Sequence, residues 1–328
     1  SSLVGSEMCI RDRKPMAEYM AQDCSDVPEE YARLIQLFQH TNQAFPFEGN
    51  RIAVYTEGYT KLQSLLRELQ KAKQHIHIEY YIFEDDAIGR LVRDVLIEKA
   101  SQGVEVRVIY DDVGCWHVPN RFFEEMRNAG IEVRSFLKVR FPLFTSRVNY
   151  RNHRKIVVID GRIGFVGGMN LAERYMRGFS WGIWRDTHIL IEGKAVHGLQ
   201  TAFLLDWYFV DRTLITASRY FPKIESCGSS LVQVVTSEPI GPWKEIMQGL
   251  TMAINGAKKY FYMQTPYFLP TEQVLAAMQT AALAGVDVRL MLPERADNRI
   301  THLGSHSYLA DVMQAGVKVY FYKKGFLH

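Results

Sequence analysis

Three blocks of this sequence occur twice, in the same order and at nearly constant spacing. AKQHIHIEYYIF from Ala72 matches AKKYFYMQTPYF from Ala257, GVEVRVI from Gly103 matches GVDVRLM from Gly285, and AGIEV from Ala129 matches AGVKV from Ala315. The offsets are 185, 182 and 186 residues. A duplication of this kind reduces the fold to one unit used twice. In the first copy Lys61–Ala72 reads as helix, His75–Phe83 as strand, Ile88–Ser101 as helix and Val104–Tyr110 as a buried strand. Arg121–Ala129 follows as a helix ended by Gly130, and Ile131–Phe136 as another strand. This alternation predicts an α/β layered sheet. The two copies join near Arg212–Ser230.

Upstream, Asp26 caps an expected helix, Pro28 suits its first turn, and Tyr31, Leu34, Ile35 and Phe38 form one apolar stripe that ends before Pro46. That helix reads either as a packing element or as one that skims a membrane. The first thirteen residues, SSLVGSEMCIRDR, fit no element and resemble translated adapter read-through. They are set aside, and the natural N-terminus is expected to be missing.

Composition bounds the function. A chain of 328 residues, 47% hydrophobic and 23% charged, is neither disordered nor collagen-like, and it suits about two domains. The 39 basic and 36 acidic residues leave +3, too mild a balance for a dedicated nucleic-acid groove but compatible with a few cations placed on an anionic substrate. Cys9, Cys24, Cys115 and Cys227 show no C-x-x-C spacing and read as free thiols. The longest apolar run, Thr201–Val210, contains Asp206 and falls short of the ~18 residues of a membrane span.

The chemistry concentrates in NHRKIVVIDGRIGFVGGMN, starting at Asn152. His153, Lys155 and Asp160 follow H-x-K-x4-D, and Gly167-Gly168-Met169-Asn170 come after. Lys155–Ile159 is an extended apolar run, so His153 and Lys155, two apart, are expected on one face. An imidazole beside a fixed cation suits phosphodiester chemistry: the ring attacks phosphorus and the ammonium neutralises charge building on its oxygens. Gly167 and Gly168 would let backbone approach a phosphate, and the Asn170 amide would donate to it. Asp160-Gly161 equally suits a two-residue hairpin turn, so Asp160 has both a catalytic and a structural reading. His302 and His306 lie four apart on an expected helix, which is metal-ligand spacing without the usual glutamate. His75 and His77 are expected to line the sheet. Glu84-Asp85-Asp86 and Asp111-Asp112 either border the pocket or cap turns, and Trp181, Trp184, Trp207 and Tyr208 read as mostly core.

The central segment resembles the HKD motif of the phospholipase D superfamily. HRKIVVIDGRIGFVGGMN, WRDTH from Trp184, TPYFLP from Thr265 and the final GFLH resemble bacterial cardiolipin synthases in particular, from about Tyr31 to His328. The resemblance implies two tandem phospholipase D-like α/β/α sandwich repeats related by a pseudo-two-fold, the second incomplete, each lending one HKD motif to a shared site. It divides the chain into a leader (1–13), a linker and helix (14–50), a first repeat (51–215) with its whole motif in 148–174, and a second repeat (216–328). The second repeat stops at His328, the first residue of its own motif.

The implied reaction joins two phosphatidylglycerol molecules into cardiolipin and glycerol through a phosphohistidine. His153 is the nucleophile, His328 the general acid and base, Lys155 the electrostatic clamp, and Asp186 an orienting acid that otherwise pairs with Arg185 or another neighbour. No cofactor or metal is implied. The implied partners are anionic phospholipid and the membrane surface rather than nucleic acid. The implied location is the bacterial cytoplasmic membrane, reached through N-terminal helices outside this chain. A phospholipase D-like nuclease, or a non-catalytic lipid-binding fragment, are the alternatives. Without the second lysine and its strands the fragment is expected to be inactive.

Overall fold

The computed structural model describes residues 29–138, 151–238 and 241–328. The leader, Asp26, Pro28, Cys9 and Cys24 lie outside the described residues. The first elements are α1 (Glu29–Asn42), β1 (Pro46–Tyr55), α2 (Gly58–Lys71), β2 (His75–Tyr80), α3 (Ala87–Ser101), β3 (Glu105–Asp111), α4 (Asn120–Asn128) and β4 (Glu132–Phe136). Next come β5 (Lys155–Ile159), β6 (Ile163–Gly167), α5 (Arg174–Arg177), β7 (Ile183–Arg185), β8 (His188–Glu192), α6 (Val196–Asp211) and β9 (Ser230–Gln233). The remainder is α7 (Glu245–Gly256), β10 (Tyr260–Gln264), α8 (Glu272–Leu283), β11 (Asp287–Pro293), α9 (Arg299–Ser307), α10 (Leu309–Gln314), β12 (Lys318–Tyr322) and β13 (Gly325–Leu327).

Two compact units result. The first takes its described residues from Ala44–Tyr175 and Thr187–Val234. The second takes them from Pro28–Gln43, Met176–Asp186 and Val235–His328.

Unit 1 is built on an eight-stranded sheet, order β4-β3-β2-β5-β6-β8-β1-β9. Strands β2, β3 and β4 are parallel, and the other neighbours pair antiparallel. Helix α6 lays Val196, Leu199 and Ala202 on Ile156 and Val158 of β5, and Phe203 and Trp207 on Ile109 of β3. Each such large side chain removed from water contributes roughly 1.5–3 kcal/mol. The apolar run Thr201–Val210 is thus a core-covering helix, and its Asp206 is buried in an ion pair with Arg154.

Unit 2 carries the parallel sheet β10-β11-β12 and a small parallel pair, β7 with β13. Its core is Leu290 and Leu292 of β11 packed with Met278, Val312 and Phe268. Helix α1 belongs here as a packing element. Phe38 lies so close over Gly249 of α7 that a Cβ there would fall 2.1 Å from its ring. Tyr31, from the expected stripe, is instead half exposed.

The duplicated blocks become β2, β3, β4 in one unit and β10, β11, β12 in the other, with identical register. His75 pairs with Glu105 as Tyr260 pairs with Asp287, and Arg107 pairs with Glu132 as Arg289 pairs with Lys318. The turns before the strands match as well. Gly103, Gly130, Gly285 and Gly316 have φ of +86°, +87°, +93° and +99°, the left-handed conformation that closes a helix at little cost only for glycine.

Strand β1 and its partner β9 were not anticipated. In β1, Pro46 and Gly49 (φ +73°) interrupt the alternation, and its pairing with β9 shifts register between Phe47 and Asn50. A bulged strand of this kind loses the period-two signature.

Candidate active site

Strand β5 is buried at all five positions, between β2 and β6. Lys155, at its start, lies opposite Tyr80 and is almost fully buried, while His153 just before the strand is exposed. The Lys155 ammonium reaches back, with Nζ 2.8 Å from His153 Nδ1 and 5.6 Å from the centre of the Tyr81 ring. That ring in turn lies 4.5 Å from the imidazole. The two-residue spacing therefore delivers the expected imidazole–cation pair, with the histidine preceding the strand rather than standing within it.

The residues on either side of His153 are held by buried carboxylates. The Asn152 backbone N–H donates to Asp111 Oδ2 (3.2 Å), and its side-chain amide donates to Glu79 and to Asp206 Oδ2 (3.3 Å). The Arg154 N–H donates to Asn152 Oδ1 (3.0 Å), and its guanidinium pairs with Asp206. Burial pushes the Glu79 carboxyl well up, and the Asp206 charge pushes it further. Burial also raises Asp111, against the lowering effect of the Gly114 N–H. Asp111 caps the turn after β3, accepting from Val113 and Gly114, so it serves both turn and site. Glu79 and Asp206 were missed because no local pattern links them to Asn152. The only hint was a charged residue in each of two apolar runs.

The Asp160 carboxylate is occupied by three backbone N–H groups, of Lys73, Gln74 and His75 (2.8–3.0 Å). With φ +52° at Asp160 and +65° at Gly161, the pair forms the hairpin turn between β5 and β6. Geometry gives it the structural reading.

The glycines and Asn170 also differ from expectation. A Cβ on Gly167 would lie 2.5 Å from His188 Cα and 2.7 Å from His188 Nδ1, so close strand packing, not phosphate approach, demands glycine there. The Gly168 N–H donates to Thr187 O (2.9 Å). The buried Asn170 amide accepts from the Ile82 N–H (3.0 Å) and donates to the Tyr175 hydroxyl (2.6 Å), tying the end of β2 to the helix after the motif instead of facing a phosphate. His188 is itself fully buried, and burial with the nearby Lys61 and Lys155 charges holds it well below the ordinary histidine range.

In unit 2, β7 and β13 bring Asp186 and His328 together. His328 Nδ1 lies 2.9 Å from Asp186 Oδ2, its N–H donates to Arg185 O (2.9 Å), and the Trp184 indole N–H donates to the same carboxylate oxygen (3.3 Å). Trp184 packs on Phe326, which steadies the strand pair. Asp186 thus faces His328.

The remaining candidates settle into structural places. His75 and His77 line the sheet against α6, bonded to Gln200 (3.0 and 2.7 Å), and burial pushes His77 down to about 3. Asp86 caps α3 through Ile88 and Gly89. The His302 and His306 rings lie 4.2 Å apart on α9, and among the described residues no cluster of three or more ligating side chains includes them. No helix of the described residues is long and apolar enough to cross a membrane.

Comparison with known proteins agrees with this architecture. The sequence profile described as "Cardiolipin synthase, PLD-like domain" matches residues 65–207 and 250–328. A cardiolipin synthase of Geobacillus kaustophilus (strain HTA426) is 45% identical over 283 residues, covering 85% of this chain and 56% of that protein. The major cardiolipin synthase ClsA of Bacillus subtilis (strain 168) is 42% identical over 299 residues, 90% of this chain and 62% of that one. The chain therefore spans little more than half the length of these relatives. Among solved structures, a phosphatidylserine synthase of Haemophilus influenzae Rd KW20 shares the fold at TM-score 0.60 and 14% identity, covering 90% of this chain and 78% of that one. With the α/β sheet, the duplicated strand triplet and the H-x-K-x4-D hairpin in place, and the profile matched in both halves, the chain belongs to the cardiolipin synthase, PLD-like domain family.

Proposed function

We propose that this chain is part of a phosphatidyltransferase that makes cardiolipin and glycerol from two phosphatidylglycerol molecules. The observation that carries the reading is the contact of Lys155 Nζ with His153 Nδ1 at 2.8 Å on an exposed imidazole. With Lys155 charged, its ammonium occupies one ring lone pair. An arriving phosphate diester draws the ammonium onto its own oxygens and releases the ring to attack.

The His153 lone pair then forms an N–P bond as the P–O bond to glycerol breaks, and His328 as imidazolium gives its proton to the leaving glycerol oxygen. Neutral His328 next takes the hydroxyl proton of a second phosphatidylglycerol. That oxygen forms the new P–O bond, the N–P bond breaks, and both imidazoles return to their starting forms. Lys155 offsets the charge on the equatorial oxygens, Asp186 positions His328, and Asp160 positions the strand pair that carries the motif. The substrates are bilayer lipids, and the reading accordingly places the protein at the bacterial cytoplasmic membrane. The names of its relatives, cardiolipin synthases, support the phospholipid substrate.

The test uses the longest natural open reading frame that carries this sequence. Incubated with phosphatidylglycerol labelled in its free glycerol, it should yield cardiolipin and release labelled glycerol in equal amounts, and His153→Ala should do neither. Absence of cardiolipin from the unaltered protein, or its undiminished formation by His153→Ala, refutes the proposal.

A further inference from the structure

The connection after β11 in unit 2 carries a site outside the chemistry described above. A cavity of about 370 Å³ there is lined by Trp181, Glu294, Arg295, Arg299 and His302. Arg295 and Arg299 are exposed, and neither has an ion-pair partner among the described residues. Beside them helix α9 presents Ile300 and Leu303, three apart on one face, with 81% and 69% of their surface in solvent. Leu269, 52% exposed, continues the same patch, because it lies against Gly304 so closely that a Cβ there would be 2.9 Å away. Two cations and three aliphatic side chains thus lie on or against one connection, and the two exposed carboxylates of its loop before α9 already have partners: Glu294 lies 3.9 Å from Lys323 Nζ, and Asp297 accepts from the Tyr267 hydroxyl (2.7 Å).

The repeat supplies an independent comparison. The matching connection in unit 1, after β3, also carries an exposed apolar residue, Trp116. Gly114, two residues earlier, packs against the Tyr81 carbonyl, next to the ring that touches His153. In unit 1 this connection therefore borders the reactive end of the sheet.

We propose that α9 and the loop before it dock on an anionic phospholipid bilayer, with Arg295 and Arg299 on lipid phosphates and Ile300, Leu303 and Leu269 at the acyl boundary. Guanidinium groups match phosphate geometry, and aliphatic side chains one turn away match the hydrocarbon beneath it. A protein partner would have to supply carboxylates to the same two arginines. The proposal rests on the phospholipid reading above and names where that substrate surface is met.

The test is sedimentation of the 328-residue chain with phosphatidylcholine vesicles containing or lacking phosphatidylglycerol. Binding should require phosphatidylglycerol and weaken with salt. Arg295→Gln with Arg299→Gln should lower the partition coefficient about 30-fold, five-fold or so per cation. Ile300→Ser with Leu303→Ser should lower it at least ten-fold. Arg67→Gln with Lys71→Gln, which removes two exposed cations from α2 in unit 1, should change it less than two-fold. No binding by the parent, or equal binding by parent and both α9 variants, overturns the proposal. So does vesicle-independent self-association that both variants abolish, because the patch is then an interface between copies. Phosphatidylglycerol-dependent binding by the 328-residue chain, with no cardiolipin made by the longest natural open reading frame that carries it, removes the catalytic reading alone. Synthesis that proceeds with α9 variants bound normally removes this one alone.

Discussion

Replacing Asp206 by asparagine tests whether charge holds the segment that carries His153. The Asp206 carboxylate accepts from the Asn152 amide and pairs with the Arg154 guanidinium, so it grips both neighbours of the histidine. Asparagine keeps the volume and removes the charge, leaving Arg154 opposite a neutral amide. Removing one partner of a fully buried pair costs ~3–5 kcal/mol. Here the Arg154 and Asp206 side chains are 23% and 12% exposed, and solvent recovers part of the loss. A destabilisation of about 2 kcal/mol follows.

A second effect runs through Glu79, which burial and then Asp206 hold well above the usual carboxylate range. The folded chain keeps a proton that the unfolded chain releases above about pH 4.3. That stabilisation is full below this value and is lost as pH rises through the folded one. Without the Asp206 charge the folded value drops, so the penalty of Asp206→Asn should shrink from about pH 4.5 towards neutrality. Urea titrations of both proteins at several pH values measure it. A double-mutant cycle with Arg154→Met should show the two changes costing less together than their sum. Transfer should lose kcat with little change in KM. A penalty below about 0.5 kcal/mol, or one that grows with pH, refutes the reasoning.

Three further outcomes are expected. Lys155→Met, a swap of similar volume at a buried site, should lower transfer by about 10²–10³ while the thermal midpoint moves little, as rate and melting measurements on the same samples will show. Gly167→Val should prevent stable folding of unit 1, read by circular dichroism and urea midpoint, because its side chain meets the His188 backbone; Gly130→Ala and Gly316→Ala, in open space at positive φ, should each cost only about 1 kcal/mol, and alike. Burial holds His77 at about 3 and His197 at about 4, so their contribution is present above about pH 6.5 and is lost on acidification towards those values; His197→Gln should flatten the slope of stability against pH by about one proton between pH 4 and 6.5.

The sequence alone determined whatever depends on neighbours along the chain. The repeated blocks marked three strands per unit, because alternating apolar runs and glycine-closed helices are local signals. Those strands pair in the same register in both units. The H-x-K spacing was enough to place an ammonium against an imidazole, since two residues of chain cannot separate them far.

Tertiary structure decided what depends on packing across the chain. It set Glu79, Asp111 and Asp206 around Asn152 and Arg154, gave Gly167 its reason in His188, turned Asn170 inward to Tyr175, and paired Asp186 with His328. None of these contacts has a period or a spacing that a linear reading detects. Each arises because a buried polar group must find a partner or a backbone must pass close to another, and only the folded chain determines which groups are within reach.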